Sequence, residues 1–151
     1  MTRALVAAFA ALLVAGCGGE AVPAQSEPLT RAEWIARADA ICAEANARIQ
    51  ALGEPENAQE LASLAGEFAD VNDEADNSLR LLAPPAEIQS QVERALELTE
   101  RQIDILREIS DAAADRNQES TERLVEELAP LEREADQIAA AIGLETCGRD
   151  G

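Results

Sequence analysis

Apolar residues recur at alternating intervals of three and four positions in four successive segments, and this spacing constrains the fold more than any other feature. The first series is Ile35, Ala38, Cys42, Ala45, Ile49 and Leu52, and the fourth is Leu124, Leu128, Leu131, Ala135, Ile138 and Ile142. A helix with this spacing presents one apolar stripe that must be buried against other helices. No segment shows the strict alternation of a β-strand. The sequence therefore predicts an all-α fold.

The two middle segments show the same spacing over longer stretches. Their apolar positions are Leu61, Leu64, Phe68, Val71, Ala75 and Leu82 in the second segment, and Ile88, Val92, Ala95, Leu96, Ile103, Leu106, Ile109 and Ala113 in the third. The predicted helices span residues 31–52, 56–82, 86–116 and 120–142. Four helices of similar length joined by short links predict an antiparallel up-down-up-down four-helix bundle over residues 30–148.

Residues that begin or end helices support these boundaries. Thr30 and Glu33 match a capping box at the start of the first helix. Gly143 after the fourth helix is typical of a Schellman end. The breaks lie at Gly53 and Pro55, at Pro84 and Pro85, and in the turn 115–120. Pro130 falls inside the fourth segment, where we expect one kinked helix, because the apolar series continues past it.

The start of the chain is a different kind of segment. Residues 4–15 are twelve consecutive apolar residues, and a helix of that length covers only about 18 Å of a hydrocarbon core about 30 Å thick. Val14-Ala15-Gly16-Cys17 follows and resembles the lipobox of bacterial lipoproteins. The resemblance implies that residues 1–16 are a signal peptide, that Cys17 becomes the first mature residue, and that its sulfur carries a diacylglyceryl group. The alternative is an ordinary signal peptide with a chance cysteine.

Three cysteines are present. With Cys17 lipidated, Cys42 and Cys147 remain in an oxidising, extracytoplasmic compartment, and we expect them to form a disulfide. In the bundle, residues 143–147 would then have to turn back and climb beside the first helix. The alternatives are two free thiols or two metal ligands, although the chain has no histidine to complete a zinc site.

Charge and composition argue against several classes of function. The chain has 12 basic and 30 acidic residues, a net charge of −18, and no lysine or histidine. An acidic surface argues against nucleic acid and against electrostatic membrane binding, so the lipid on Cys17 is the expected anchor. We expect no catalysis, because a base and a nucleophile are lacking, and no cofactor or metal. Residues 17–29 contain Gly, Pro and polar residues without periodicity, and are predicted to be a flexible tether.

Several residues are candidates for a site, and each has a structural alternative. Asp70 and Asp73 of the acidic run 70–76 share one face with Asn77 and are expected to form a solvated stripe, because the run lacks the glycine and the ligand spacing of a calcium loop. The run 132–136 is likewise expected to be an exposed charged face. Trp34 is expected in the core or at its edge, the alternative being a partner contact. Alanines of the apolar stripes, Ala38, Ala45 and Ala75, are expected to allow close helix approach, the alternative being a cavity.

Two short stretches extend the family resemblance. Residues 38–46, ADAICAEAN, and residues 144–148, LETCG, are similar to small helical lipoproteins of high-GC bacteria. This resemblance implies a fold and no site. Gly18 replaces the aspartate that retains lipoproteins in inner membranes, which would favour an outer membrane in a cell that has two.

The expected role is therefore non-catalytic binding or structure at the cell envelope, with an envelope protein as a possible partner. The alternative is a carrier of a small apolar ligand between the helices. A cavity with apolar walls and a convergent arginine would favour the carrier. An exposed apolar patch would favour a protein partner.

Overall fold

The structure is a computed structural model that describes residues 29–148. These residues form an antiparallel up-down-up-down four-helix bundle without strands, as predicted. The helices are α1, Arg31–Leu52; α2, Ala58–Arg80; α3, Gln89–Ala114; and α4, Gln118–Ile142. The predicted signal peptide, the lipidation site Cys17 and all but the last residue of the tether lie outside the described residues. Within the described part, none of the helices is long and apolar enough to span a membrane.

Side chains immediately before the helices decide where they begin. The capping box of α1 is confirmed: the Thr30 hydroxyl accepts from the Glu33 amide at 3.3 Å, and the Glu33 carboxylate accepts from the Thr30 amide at 2.9 Å. Asn57 caps α2, and Asn117 caps α4 by accepting from the Ser120 amide at 3.1 Å. These caps start α2 two residues later, and α4 two residues earlier, than predicted. The helix α3 also starts late, because a turn follows the proline pair.

The end of α4 reverses the chain. Gly143 has a φ of 93°, in the left-handed region that favours glycine. The Leu144 amide donates to the Ala139 carbonyl at 3.0 Å and the Gly143 amide donates to the Ala140 carbonyl at 3.1 Å, which are the two bonds of the predicted Schellman arrangement. The Arg31 guanidinium donates to the Ile142 carbonyl at 2.8 Å and holds this end against the start of α1. The helix α4 is continuous across Pro130, as predicted.

Packing is unequal around the bundle. The helix α3 packs extensively on α2 and on α4, whereas α1 packs less extensively on α2 and has few close approaches to α4. Two clusters of buried residues result. The first contains Trp34, Ala38, Ile88, Val92 and Ile142, and the second contains Ala65, Ile105, Ile109 and Leu124. Since α1 contributes only to the first cluster, the α1–α4 side is the loosely packed side of the bundle.

The inward face of α2 differs in part from the predicted stripe. Val71 of that stripe is buried as expected, but Ala62, Ala65 and Ala69 are also buried, while the expected Leu61, Leu64 and Phe68 are only partly buried beside them. The Ser110 hydroxyl of α3 donates to the Ala62 carbonyl at 2.6 Å. Such an approach needs small side chains between the two helices, so the alanines face α3 and the larger residues flank them.

Candidate ligand cavity between the helices

A pocket of about 290 Å³ that is partly open to solvent, called the cavity below, lies between the four helices, in the half of the bundle where α1 begins. All four helices and the segment after α4 contribute to its wall. The lining residues that matter for its chemistry are Trp34, Asn46, Asn72, Asp76, Thr99, Gln102, Glu132 and Asp136, together with apolar residues that include Ala45, Ala75, Leu79, Leu96 and Ala135. The wall therefore combines apolar surface with a set of polar groups.

The segment 144–148 closes the cavity on the loosely packed side. Cys42 and Cys147 form the predicted disulfide, with a Cα–Cα distance of 5.2 Å. The Asp39 carboxylate accepts from the amides of Glu145, at 3.0 Å, and Thr146, at 2.9 Å. Further along α1, the Asn46 side-chain amide donates to the Thr146 carbonyl at 3.2 Å. The segment thus climbs beside α1, as the sequence predicted, and both cysteines line the cavity.

Gly148 brings the same segment against α4. Its φ is 82°, and a Cβ at this position would lie 2.9 Å from the Asp136 carboxylate oxygen and 3.1 Å from the Ala139 Cβ. Only a residue without a side chain fits this approach. The segment therefore bridges α1, through Cys147, and α4, through Gly148, where the two helices themselves make little contact.

Small side chains create the empty volume. Ala45 and Ala75 line the cavity, which is the alternative considered for these alanines. Ala38 instead packs in the first core cluster, as does Trp34, which is 2% exposed. The Trp34 indole N–H donates to the Leu82 carbonyl at 3.3 Å. The prediction that Trp34 lies in the core is confirmed, and Trp34 forms part of the cavity wall as well.

Asp76 is the buried polar residue of the described chain, with 5% of its surface exposed. Its Oδ2 accepts from Arg80 Nε at 2.5 Å, and Arg80 also contacts Glu100 on α3 at 3.3 Å. Among the described residues, Asp76 Oδ1 has no hydrogen-bond partner. Burial raises the pKa of Asp76, and the Arg80 guanidinium opposes that rise. Asp76 is therefore the buried carboxylate of the run 70–76, a placement that the predicted apolar stripe did not indicate.

The sequence did contain a signal for this position. The buried alanines of α2 continue as a second series with the same spacing, which is Ala62, Ala65, Ala69, Asn72, Asp76 and Leu79. This series places Asn72 and Asp76 on the inward face, and both line the cavity. The residues of the expected solvated stripe behave as predicted: Asp70 and Asn77 are exposed, and Asp73 pairs with Arg107 at 3.3 Å on the surface.

Two acidic residues of α4 also contribute to the wall. Glu132 and Asp136 both line the cavity, and Asp136 is only partly exposed. The prediction that residues 132–136 form an exposed charged face is thus wrong for Asp136. Within the described residues, the cavity lining holds three carboxylates and no arginine, so the convergent arginine considered for a carrier is not there. No group of three or more potential metal ligands occurs in residues 29–148.

The outer surface shows little apolar area for a partner. Among the described residues, the exposed large apolar side chains are Leu81, at the end of α2, and Val125, near the start of α4. They lie toward opposite ends of the bundle. The cavity therefore has the character of a binding site, since polar groups from several helices converge on mainly apolar walls. A second pocket of about 370 Å³ lies at the other end of the bundle, between the start of α2, the end of α3 and the start of α4.

No family model, curated protein or solved structure matches the chain. Its function is therefore inferred from the structural observations above.

Proposed function

We propose that this chain is a lipid-anchored, extracytoplasmic binding protein that holds a small organic molecule between its helices. The observation that carries the proposal is the cavity of about 290 Å³. That volume is close to the lower end of the range for small-molecule sites, about 300–1,000 Å³. Such sites combine mainly apolar walls with a few polar groups, as this wall does.

The contacts that hold segment 144–148 in place support the same role. Here the gap between α1 and α4 is spanned by a segment that a disulfide, the Asp39 carboxylate and Gly148 hold in place. A bundle that needed only stability would gain from filling the gap with larger side chains.

The membrane anchor is the second part of the proposal, and it rests on the lipobox resemblance at residues 14–17. A diacylglyceryl group brings two acyl chains, which hold a protein stably where one holds it only marginally. The twelve residues 18–29 that follow Cys17 would reach about 19 Å as the predicted tether. It would join the bundle at Leu29, at the same end as the cavity, so the site would lie close to the membrane surface.

Binding is favoured over catalysis by the composition of the wall. The chain has no histidine or lysine, and the two cysteines of the bundle are joined to each other. Carboxylates and amides remain, which bind and orient ligands readily.

Native mass spectrometry on the full chain, expressed in a bacterium and extracted from its membranes in mild detergent, tests both parts. We expect a chain that begins at Cys17 with a diacylglyceryl group, and a bound small molecule that is released on collisional activation. Ala135→Leu adds three carbons inside the cavity and should abolish the bound mass. Ala140→Leu makes the same change at an exposed position of α4 and should retain it.

The outcomes separate the two parts. A bound mass that survives in both variants, or that is absent from the parent chain, contradicts ligand binding in the cavity. For the anchor, Cys17→Ala should move the protein from the membrane fraction to the soluble fraction. An unlipidated parent chain that begins elsewhere contradicts the lipoprotein assignment and leaves the cavity result unaffected.

A further inference from the structure

We propose that the molecule held in this cavity is an uncharged amphiphile: an apolar skeleton with one group that both donates and accepts hydrogen bonds, such as a carboxamide. This inference rests on the proposed function, because it names the ligand class of the same site. Three observations carry it: the separation of polar and apolar wall along the cavity, the free groups of the wall amides, and the pairing of the nearby charges.

Apolar and amide side chains line the cavity at different depths in the bundle. Where α1 begins, five apolar lining residues lie within one turn of the helix ends: Trp34, Leu79, Val92, Ala139 and Ile142. The amide side chains of the wall lie deeper. Asn72 is eight residues, or about 12 Å, from the end of α2 at Arg80, and Asn46 and Gln102 are farther from the same end of the bundle along their own helices. The cavity therefore suits a molecule with an apolar part at one end and a polar group at the other.

The wall amides keep both hydrogen-bond donors and acceptors. The Asn72 side chain donates one N–H to the Phe68 carbonyl at 2.8 Å, and the Asn46 side chain donates one N–H to the Thr146 carbonyl at 3.2 Å. Each amide retains a second N–H and its carbonyl oxygen. Gln102 forms no hydrogen bond with another of the described residues, so its whole amide is available. A ligand group that donates and accepts at once can use both halves of these amides.

The charged groups of the wall already have partners. The Asp76 carboxylate is paired with Arg80 at 2.5 Å, and its second oxygen, Oδ1, has no surface open to the cavity. Glu132 and Asp136 each interact with other groups of the chain. Among the described residues, the wall thus holds no basic side chain and no acidic side chain without a partner. Since a charged ligand would lose hydration here without gaining a counter-ion, the wall favours an uncharged one.

Four adamantane derivatives of nearly the same shape separate charge from hydrogen bonding. The carboxamide donates and accepts, the methyl ketone only accepts, the carboxylate is an anion, and the amidinium is a cation. Their binding to the full chain, extracted in a nonionic detergent, is followed by the fluorescence of Trp34, which is the only tryptophan in the chain and lies in the apolar part of the wall. We expect the carboxamide to bind about tenfold more tightly than the ketone, the effect of one or two neutral hydrogen bonds, and both charged probes to bind most weakly.

A matched pair of variants assigns the preference to the wall amides. Gln102→Met keeps the approximate size of the side chain and removes its amide, so it should weaken binding of the carboxamide about fivefold and binding of the ketone by less. Gln50→Met makes the same change at an exposed position of α1 and should leave the affinity for both probes unchanged. Asn72→Leu removes a second amide and should also weaken the carboxamide more than the ketone. Should a variant fail to fold, the comparison of the four probes on the unchanged chain decides the question.

Each contrary result has a definite meaning. Equal affinity for the carboxamide and the ketone, or tighter binding of either charged probe, overturns the inference, and the proposed function still stands if Ala135→Leu abolishes that binding. A preference for the carboxamide that persists unchanged in both Gln102→Met and Asn72→Leu places its recognition elsewhere, and also overturns the inference. If no probe binds, the inference fails, and the native mass measurement decides the proposed function by itself.

Discussion

Removal of the disulfide is the sharpest test of how the fold closes its cavity. The double variant Cys42→Ser with Cys147→Ser opens a covalent loop between residues 105 positions apart. The chain-entropy argument assigns about 4.7 kcal/mol of stability to a loop of about 100 residues. Small domains have a free energy of unfolding of about 5–15 kcal/mol. The variant should therefore still fold, but with much of its stability lost.

The loss can be measured by urea unfolding of the parent and variant chains. Unfolding free energies of small proteins change by about 1–3 kcal/mol per molar urea, so the midpoint should fall by about 1.6–4.7 M. Circular dichroism follows the helices, and Trp34 fluorescence follows the end of the bundle that the disulfide closes. Coincident transitions from the two probes would establish that a single free energy describes the unfolding.

A control variant separates the disulfide from the hydrogen bonds beside it. Asp39→Ala removes the carboxylate that accepts from Glu145 and Thr146 but keeps the covalent loop. It should lower the free energy of unfolding by less than the double serine variant does. A loss below about 1 kcal/mol on removal of the disulfide would refute the reasoning, because it would mean that the hydrogen-bonded segment alone closes the loop.

Three further changes have definite expected outcomes. Gly148→Ala should destabilise the fold by about 1–2 kcal/mol or more in urea unfolding, because φ is positive and the added Cβ would lie 2.9 Å from a carboxylate oxygen. Gly66→Ala should stabilise it by up to about 1 kcal/mol, since Gly66 is inside α2 and the added Cβ would meet only Ser110 Oγ, at 3.4 Å. The third concerns pH: because burial raises the pKa of Asp76, its contribution to stability is greatest below about pH 3.9, the unfolded value, and falls as pH rises through the folded value. Unfolding curves for Asp76→Asn, measured over the same pH values, should lack this decrease in stability. Parallel profiles of stability against pH for the parent chain and the variant would contradict the prediction.

Features that depend on neighbouring residues were predictable from the sequence. The bounds of α1 are those predicted, because Thr30 and Glu33 complete a capping box within one turn. The Schellman end at Gly143 is equally local. Predictions were less accurate where several residues compete for one role. Asn57 and Asn117 were not recognised as caps, so the start of α2 and the start of α4 were each displaced by two residues.

The division between sequence and tertiary structure is clearest on α2. Two series with the same three-four spacing run along this helix one position apart, one through the leucines and one through Ala62, Ala65 and Ala69. Periodicity alone favoured the larger residues. Close packing on α3 selected the alanines, because only small side chains allow the Ser110 hydroxyl to reach the Ala62 carbonyl. By itself, the sequence determined four helices, their antiparallel order and one disulfide. The burial of Ala62, Ala65 and Ala69 in place of the larger residues beside them, and with it the burial of Asp76 in a cavity wall, depends on the fit between whole helices, a long-range property that no local spacing encodes.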